Sequence, residues 1–289
     1  MAKPPFGLLL DIDGPIASPV TRKISIPSII TDLLYLAKAE IPVIFNTGRG
    51  DVFVNEQVVQ PLQAAHLPDH ITMYTICEKG GTWATITSQG LKNLHIDHDK
   101  ELPAEYFKGA KKLIDEKYSD WMFFDDTKHT MVSVEQHEDI DNEQYRKVQK
   151  KYDADAVALF QKLDIPAVLE GKNTSDKDPE FIIEPTIIST DIQSINVGKD
   201  VGAARAVQLA KDTHHLPDTW YSVGDSRSDY AMADWLHEKG YESIFVDVRP
   251  ADGVPEKPYK IMTYGDKIHD EACAEFLAER VQEVKATQK

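Results

Sequence analysis

The sequence predicts an α/β protein with a doubly wound parallel sheet that is interrupted by a second, α+β unit. Short apolar strands alternate with helices at both ends of the chain, a pattern typical of a parallel sheet covered by helices on both faces. Between residues 82 and 191, pairs of strands flank a long helix instead, which is typical of an antiparallel layer. The chain has 289 residues, 42% of them hydrophobic, which allows one large domain or two ordinary ones.

The first part of the parallel sheet begins with Leu8, Leu9 and Leu10, an apolar run typical of a strand buried on both faces. The segments after it alternate between helical and strand spacing of their apolar residues. In order, they are a helix over 26–39, a strand over 41–45, a helix over 51–63 and a strand over 73–77. A glycine-containing turn at 78–81 ends this part of the chain.

The second unit is predicted as an insertion over residues 82–191, with the core formed by residues 1–81 and 192–289. Its strands and helices follow one another with a polar, exposed loop between the last two strands. In order, they are a hairpin of 85–87 and 91–96, a helix over 105–118, strands over 121–124 and 130–135, a helix over 143–163, and strands over 167–170 and 181–184.

The doubly wound pattern returns near residue 194. Its segments are a helix over 200–212, a strand over 220–223, a helix over 230–239, a strand over 243–248 and a closing helix over 266–286. The acidic start of the closing helix suits the helix dipole. This part of the chain therefore completes the parallel sheet.

Composition restricts the partners of the protein. The net charge of −16 argues against a nucleic-acid backbone or an anionic membrane surface. A small anionic substrate is still allowed, because a bound metal ion and a few lysines reverse the local field. Cys77 and Cys273 form no CxxC pair, and no apolar run is long enough for a signal peptide or a membrane span. We therefore expect a cytoplasmic monomer or homodimer with no membrane partner.

The motif DIDG, residues 11–14, follows the first strand and carries the first candidate chemistry. A buried strand that ends in Asp11 and Asp13 places both carboxylates at the sheet edge where open α/β folds bind ligands. Two anions so close repel each other unless a cation joins them, and Mg²⁺ suits carboxylate oxygens. One carboxylate can then act as a nucleophile and the other as an acid/base. Alone, the same residues also fit a strand that runs into an Asx turn.

Two further motifs offer groups that suit a phosphate. In FNTGRG, residues 45–50, Thr47 and Gly48 end a buried strand, and a hydroxyl and backbone N–H groups there suit an oxyanion. In VGKDVGAARA, residues 197–206, Lys199 lies at a helix start, where a cation opposes the dipole and indicates an anion nearby. Taken separately, Thr47 also fits a helix N-cap, and Lys199 also fits a solvated lysine.

A fourth motif, YSVGDSRSD at residues 221–229, adds Asp225 at a strand end and Asp229 one helical turn later. Together with Asp11 and Asp13, these would complete an octahedral oxygen site for Mg²⁺. An N-cap and a first-turn acid would explain Asp225 and Asp229 as well. All four motifs occur at strand ends or helix starts of one sheet edge, and this combination favours an active site.

Through DIDG, NTGR, GKDVGAA and GDSRSD, the chain resembles the haloacid dehalogenase-like phosphatase superfamily. The insertion between the second and third motifs resembles the subgroup with a large α/β cap. Within it, the sequence is similar to trehalose- and sucrose-phosphate phosphatases and to mannosylphosphoglycerate and phosphoglycolate phosphatases. The resemblance implies a Rossmann-like parallel-sheet core with an inserted α+β cap domain that selects the substrate.

The resemblance also implies an activity. It is that of a Mg²⁺-dependent phosphomonoesterase acting on a small phosphorylated metabolite, with a sugar phosphate as the first expectation. By resemblance, Asp11 is the nucleophile and forms an aspartyl-phosphate. Asp13 protonates the leaving alcohol and then activates the hydrolytic water.

The remaining motif residues are assigned by resemblance to binding. The residues expected to hold the phosphoryl oxygens are Thr47, Gly48 and Lys199. The residues expected at Mg²⁺ are Asp11, Asp13 through its carbonyl, Asp225 and Asp229, the last as a ligand or behind the others. In the inserted unit, the candidates for choosing the substrate are Lys128, His129, Arg146, Lys172 and Glu184, although the sequence does not indicate which of them face inward.

Three other functions compete with a phosphatase. A phosphotransferase such as a mutase differs only in the acceptor, so the sequence does not separate it from a hydrolase. A catalytically idle binding protein with this fold would not require Asp13, the second carboxylate of DIDG. A dehalogenase needs no acid for an alkoxide leaving group, and Asp13 disfavours it for the same reason.

Overall fold

The computed structural model describes residues 3–213 and 216–287, which form two compact units. The first unit takes in the described parts of Met1–His95 and Gly198–Lys289, and the second is Ile96–Val197. Within these described ranges, no helix combines the length and the apolar character needed to cross a membrane.

Strands make up two separate sheets. In chain order they are β1 (Gly7–Leu10), β2 (Val43–Asn46), β3 (Met73–Cys77), β4 (Thr82–Thr87), β5 (Gly90–Ile96), β6 (Met122–Phe124), β7 (Val132–Gln136), β8 (Ala167–Leu169), β9 (Lys172–Asn173), β10 (Phe181–Pro185), β11 (Ser189–Ser194), β12 (Thr219–Gly224), β13 (Glu242–Asp247) and β14 (Lys260–Met262).

Helices cover both sheets. They are α1 (Pro27–Lys38), α2 (Asp51–Val54), α3 (Gln60–Ala64), α4 (Ala104–Leu113), α5 (Asn142–Lys162), α6 (Lys199–Thr213), α7 (Tyr230–Glu238) and α8 (His269–Thr287). The predicted helix over 51–63 is realised as α2 and α3 with a π-helical turn, Asn55–Val59, between them.

The core sheet has the order β14-β13-β12-β1-β2-β3-β4-β5, and its first six strands are parallel. β1 is buried along its whole length. Leu8 packs with residues of α1 and α8 on one face, and Leu9 packs with residues of α6 and α7 on the other. Burial on both faces explains why β1 reads as a continuous apolar run, and it confirms the predicted doubly wound parallel core.

The hairpin of β4 and β5 lies in the core sheet rather than in the inserted unit. β4 pairs antiparallel with β3, beginning with Cys77 opposite Thr82, and β5 extends the sheet beyond it. The structure therefore divides the chain at Ile96 and Gly198, whereas the sequence places the boundaries at residues 82 and 191. The physical reason is that a strand's spacing predicts a pleated segment but not the sheet in which its backbone finds partners.

The second unit is an α+β layer, as expected. Its sheet has the order β6-β7-β11-β10-β8-β9, antiparallel except for the parallel pair of β8 and β10. Residues of α4 and α5 share a hydrophobic cluster with Val132, Val134 and Ile183, so the helices cover one face of the sheet. Neither α4 nor α5 covers the other face in the described part of the chain.

A buried carboxylate lies inside the second unit. Asp153 of α5 is 6% exposed and accepts a 2.7 Å hydrogen bond from the hydroxyl of Thr190. Burial raises the pKa of Asp153 to about 6, although the bond from Thr190 opposes the rise. Because the folded state holds this proton more tightly than the unfolded chain does, the stabilisation is complete below the unfolded pKa and is lost as pH rises through about 6.

We expect Asp153→Asn to remove this loss. The difference in melting temperature between the variant and wild type should be more favourable to the variant at about pH 8 than at about pH 5. Thermal unfolding followed by circular dichroism at both pH values measures the difference. Asp155→Asn is the matched control, since a hydrogen bond from Lys117 lowers the pKa of Asp155 and the substitution should not stabilise at either pH. An equal shift for Asp153→Asn at both pH values would contradict the prediction.

Candidate active site

Three neighbouring strands end at the edge of the core sheet where the sequence motifs meet. β1 is parallel to β12 on one side and to β2 on the other, with Leu10 opposite both Val223 and Phe45. The N–H of Asp11 donates to the carbonyl of Val223 at 2.9 Å, which continues the pairing by one residue. The residues that directly follow these strands are Asp11, Asp225 and Thr47.

Lys199 joins two carboxylates and a backbone carbonyl from three parts of the chain. Its Nζ lies 2.7 Å from Oδ1 of Asp11 and 2.7 Å from Oδ1 of Asp229. It also donates to the carbonyl of Asn46 at 2.7 Å. An ammonium has three N–H donors, so these contacts use all of them. The side chain is only 7% exposed, which excludes the alternative of a solvated lysine.

The start of α6 is held against the end of β2. The side-chain amide of Asn46 donates to the carbonyl of Lys199 at 2.9 Å. A Cβ at Gly202 would lie 2.1 Å from Oδ1 of Asn46, so this close approach requires glycine. The lysine thus sits on a helix end that is fixed to the sheet edge.

Asp229 is fully buried, and both of its carboxylate oxygens have partners. Oδ2 accepts from the N–H groups of Asp225 and Ser226 at 3.2 and 3.0 Å, and from the hydroxyl of Ser226 at 2.7 Å. Oδ1 is paired with Lys199. Asp229 therefore accepts from N–H groups at the start of a helix, as predicted, and also pairs with Lys199 in the site. Because both of its oxygens are used in this way, Asp229 is better suited to a position behind the metal ligands than to direct ligation.

The site holds more negative charge than one lysine neutralises. Burial raises the pKa of Asp11 well above its usual value, the charge of Asp229 adds to the rise, and Lys199 opposes it. The pKa of Asp225 is raised to about 6, by burial and then by Asp229. Burial alone would lower the pKa of Lys199, but Asp11 and Asp229 raise it above its usual value. Such an arrangement favours a bound cation.

The donor set fits Mg²⁺. One carboxylate oxygen from each of Asp11, Asp225 and Asp229 lies within 4.8 Å of the others. Carboxylates and a backbone carbonyl are hard oxygen ligands of the kind this ion prefers. Because the oxygens of Asp229 already accept from neighbouring donors, Asp11 and Asp225 are the carboxylates best placed to bind the ion.

Asp13 has a partner that the sequence analysis did not assign. Nε of Arg49 lies 2.9 Å from Oδ2 of Asp13, and Nη2 lies 3.1 Å from Oδ1. This two-point contact fixes the plane of the carboxylate as well as its position. Gly14, at φ +90°, turns the chain directly after Asp13.

We expect Arg49→Lys to lower kcat by about tenfold to a hundredfold, because a single ammonium cannot hold both oxygens of Asp13 in one orientation. The pH profile of kcat should also change on the limb that reports Asp13, the residue expected from the sequence to act as the acid. Steady-state kinetics over a range of pH values measures both effects.

Arg280→Lys is the control for this substitution, since Arg280 is 12% exposed and pairs with Glu283 on α8. A kcat for Arg49→Lys within about twofold of wild type, together with an unchanged pH profile, would show that Asp13 does not depend on Arg49.

Thr47 is fully buried and uses its N–H inside the sheet, where it donates to the carbonyl of Ile76 at 2.9 Å. Its hydroxyl oxygen accepts from the N–H of Arg49 at 3.1 Å. The hydroxyl hydrogen is therefore the group of Thr47 that suits an oxyanion. Beside Gly48 lies the side chain of Lys79, whose Cε is 3.6 Å from the place of a Cβ on Gly48. A second cation thus lies next to the predicted phosphate-binding loop.

The five residues predicted to choose the substrate lie on several elements of the second unit. Glu184 lies in β10 and accepts from the side chain of Gln193 at 3.2 Å. Arg146 is on α5, on the helix-covered side, and donates to the carbonyl of Thr186. Lys172 is exposed in the edge strand β9.

The face of the second sheet that α4 and α5 do not cover carries several polar side chains. Val132 and Val134 pack with the helices, so the residues that alternate with them point to the other side. Across β7, β11 and β10, the polar residues of that side are Ser133, Glu135, Glu184, Asp191 and Gln193. Lys128, in the turn between β6 and β7 with His129, has a side chain that is 4% exposed and lies 3.9 Å from Asp125.

No family model matches the sequence, and no curated protein is similar to it. Its fold, however, is similar to several solved structures. The C-terminal domain of trehalose-6-phosphate phosphatase from C. albicans has a TM-score of 0.62 at 12% identity, covering 96% of this chain and 93% of that one. A haloacid dehalogenase-like hydrolase from Bacteroides thetaiotaomicron has a TM-score of 0.58 at 12% identity, covering 95% and 99%. Trehalose-6-phosphate phosphatase from Aspergillus fumigatus has a TM-score of 0.51 at 14% identity, covering 96% and 93%.

These likenesses confirm the predicted fold class. The chain has the fold of the haloacid dehalogenase-like hydrolases, with a parallel-sheet core and an inserted second unit. The motifs that carried the resemblance in the sequence lie at the carboxyl edge of that core.

Two kinds of site residue lie outside the set predicted from the sequence: residues inside the four motifs, and a residue far from any motif. Arg49 and Asn46 are inside the motif FNTGRG, and the charge of Arg49 directly after Thr47 and Gly48 was a signal that could have indicated it. Ser226, which donates to Asp229, was likewise inside a motif already singled out. By contrast, nothing in the sequence around the start of α8 indicates a link to this site.

Proposed function

We propose that the protein is a Mg²⁺-dependent phosphomonoesterase that hydrolyses a small phosphorylated metabolite, with a sugar phosphate as its substrate class. The observation that carries the proposal is the arrangement of Asp11. Its carboxylate is buried, bonded to Lys199 at 2.7 Å and grouped with Asp225, while Asp13 is held separately by Arg49. Asp11 is the carboxylate proposed to attack phosphorus, and the neighbouring Asp13 is the one proposed to exchange protons with the alcohol and the water.

The contacts of Asp11 divide the roles of its two oxygens. Oδ1 is 2.7 Å from Lys199 Nζ and accepts from the N–H of Ile12 at 2.8 Å. We therefore assign Oδ2 as the oxygen that attacks phosphorus. Lys199 favours the ionised carboxylate and so opposes the rise in the pKa of Asp11 that burial causes, and burial removes the water that would otherwise solvate the carboxylate.

The proposed reaction has two steps. First, Oδ2 of Asp11 forms a bond to phosphorus, the bond from phosphorus to the alcohol oxygen breaks, and the alcohol takes a proton from Asp13. Then Asp13 accepts a proton from water as the water oxygen forms a bond to phosphorus, the bond from phosphorus to Oδ2 of Asp11 breaks, and inorganic phosphate leaves with the Asp11 carboxylate restored. We expect the hydroxyl of Thr47 to donate to a phosphoryl oxygen, and the charge of Lys199, whose three N–H groups already have partners, to stabilise the phosphoryl oxygens without a hydrogen bond.

Mg²⁺ would be held by Asp11, Asp225 and the carbonyl of Asp13. When bound, it supplies positive charge that offsets the repulsion between these carboxylates and a phosphate dianion. Asp229 contributes by orienting Lys199 and the backbone of Asp225.

The sugar-phosphate class is supported by the polar face of the second unit. Its side chains include hydroxyl, amide and carboxylate groups beside the apolar Phe123 and Ile182, and Ser133 donates to Asp191 at 2.7 Å. Carboxylates accept hydrogen bonds from alcohols, and amides both accept and donate them. We propose that the substrate is rich in hydroxyl groups, as a sugar phosphate is.

A screen of purified protein against phosphorylated metabolites, with and without Mg²⁺, tests the proposal. We expect phosphate release from one or more sugar phosphates with Mg²⁺, and loss of this release with a chelator. Sugar phosphates should be preferred over phosphorylated carboxylic acids such as phosphoglycolate. Measuring free phosphate together with the dephosphorylated sugar separates hydrolysis from transfer to a second alcohol. Full activity in metal-free protein, or no phosphate release from any ester, would contradict the proposal.

A further inference from the structure

A histidine from the last helix lies beside the metal-binding edge, at a point that no sequence motif indicates. His269 is the first residue of α8, and its side chain is 18% exposed. Its Nδ1 lies 3.5 Å from Oδ2 of Asp225. This nitrogen is buried, and within the described ranges it makes no hydrogen bond. A polar atom in that condition needs an explanation.

The backbone of His269 is fixed to the strand that carries Asp225. The N–H of Val248 donates to the carbonyl of Gly224 at 3.1 Å, and the N–H of His269 donates to the carbonyl of Val248 at 2.7 Å. Gly224 directly precedes Asp225. Two consecutive backbone hydrogen bonds therefore set the distance between the histidine and the carboxylate.

His269 also has an unusual backbone conformation. Its φ is +51°, in the left-handed region that residues with a side chain seldom adopt. Such a conformation persists where the surrounding contacts determine it, and it is common at functional sites. Here it directs the ring toward Asp225, the residue from which its Nδ1 is 3.5 Å away.

Asp225 is confined on its other side by the first motif. A Cβ at Gly14 would lie 2.6 Å from both Cγ and Oδ2 of Asp225. The carboxylate thus lies between the backbone of Gly14 and the ring of His269. With Oδ2 held between them, the remaining oxygen of Asp225 is the one that can turn to a metal ion.

We propose that His269 is a positioning residue for Mg²⁺ binding, and that its Nδ1–H donates to Oδ2 of Asp225 so that Oδ1 is presented to the ion. The inference rests on the proposed function. A shift of about half an ångström brings the 3.5 Å contact to an ordinary N–H···O length. Removing a group that orients a metal-binding side chain in this way typically weakens metal affinity by about tenfold to a hundredfold.

Calorimetric titration of the full chain with Mg²⁺ alone tests this role without relying on turnover. We expect His269→Ala and His269→Gly to weaken Mg²⁺ binding by about tenfold or more. His269→Asn should restore most of the affinity, because its amide nitrogen is as many bonds from the backbone as Nδ1 and asparagine tolerates a positive φ. His70→Ala, at an exposed histidine, is the control and should bind Mg²⁺ like wild type.

Kinetics adds a second readout. In His269→Ala, the Mg²⁺ concentration for half-maximal activity should rise as the affinity falls, while kcat at saturating Mg²⁺ stays within about threefold of wild type. Melting temperatures in chelator show whether each variant is folded. His269→Gly, which suits the backbone conformation, decides the question if His269→Ala does not fold.

An affinity for Mg²⁺ within about twofold of wild type in the folded Ala or Gly variant would overturn the role of His269. Equal weakening in the Asn variant would do so as well, since the loss would then not come from the donor. If wild-type protein neither binds Mg²⁺ nor hydrolyses phosphate esters, the proposed function fails, and the inference fails with it. If wild type and all variants bind Mg²⁺ with the same affinity, only the role of His269 is overturned and the proposed function stands.

Discussion

Asp11→Asn is expected to abolish phosphate-ester hydrolysis, with kcat/KM reduced by at least about a thousandfold, while the protein stays folded. An amide oxygen is a far weaker nucleophile than a carboxylate, and a neutral side chain does not balance the charge of Mg²⁺. The fold should persist because the substitution removes one of several crowded carboxylates, and Lys199 keeps its contacts with Asp229 and Asn46. Steady-state kinetics and a thermal melt of the same preparation measure both results.

The matched control for Asp11→Asn is Asp218→Asn. Asp218 directly precedes β12, at the opposite end of the strand from Asp225, and its side chain is 85% exposed in an ion pair with Lys3. Its replacement should leave kcat/KM unchanged. Turnover of Asp11→Asn within about tenfold of wild type would remove Asp11 as the nucleophile.

Lys199→Met is expected to cause the largest combined loss of stability and activity. The ammonium is the partner of two buried carboxylates, Asp11 and Asp229, so its removal leaves both without a nearby cation. Breaking a buried ion pair from one side costs about 3–5 kcal/mol. This corresponds to a fall in melting temperature on the order of 10 °C. Activity should fall with it, because the phosphoryl oxygens lose the same cation.

The stability loss of Lys199→Met should depend on pH. Burial and the charge of Asp229 raise the pKa of Asp11, and without the lysine the charge that opposes this rise is removed. Stability is then lost as pH rises through the raised pKa of Asp11, so the variant should lose less at about pH 5 than at about pH 8. Lys211→Met, at an exposed lysine in the last turn of the same helix, is the control. An equal loss at both pH values, or a melting temperature like that of wild type, would contradict the account.

The sequence predicted the core well because its strands are buried on both faces. β1 and β3 read as apolar runs bounded by turn residues, and their positions follow from that pattern alone. The strand β11, which lies inside the second sheet between β7 and β10, was missed because its sequence, STDIQS, is polar. Its inward-facing Thr190 is satisfied by Asp153, a partner that lies in a helix far away in the chain. Polarity of this kind hides a strand from any argument based on hydrophobic spacing.

Some residues of the candidate site could also be predicted from the sequence, whereas others could not. Lys199 and Asp229 were predictable because each lies at a junction of strand and helix in a recognisable motif, and the structure brings both to Asp11. The contact of Arg49 with Asp13 depends on how two loops approach each other, which local spacing does not encode. The approach of His269 to Asp225 depends on the return of the last helix to the sheet edge. Such contacts between distant segments become visible only in three dimensions.

Mass spectrometry of the acid-quenched protein, taken during turnover with Mg²⁺ and a phosphate ester, tests the central claim most directly. The account predicts that the peptide containing residues 7–15 carries one phosphoryl group, that hydroxylamine removes it as expected for an acyl phosphate, and that Asp11→Asn shows none. A phosphoryl group on a different residue would contradict it, as would rapid hydrolysis with no phosphorylated peptide at any quench time.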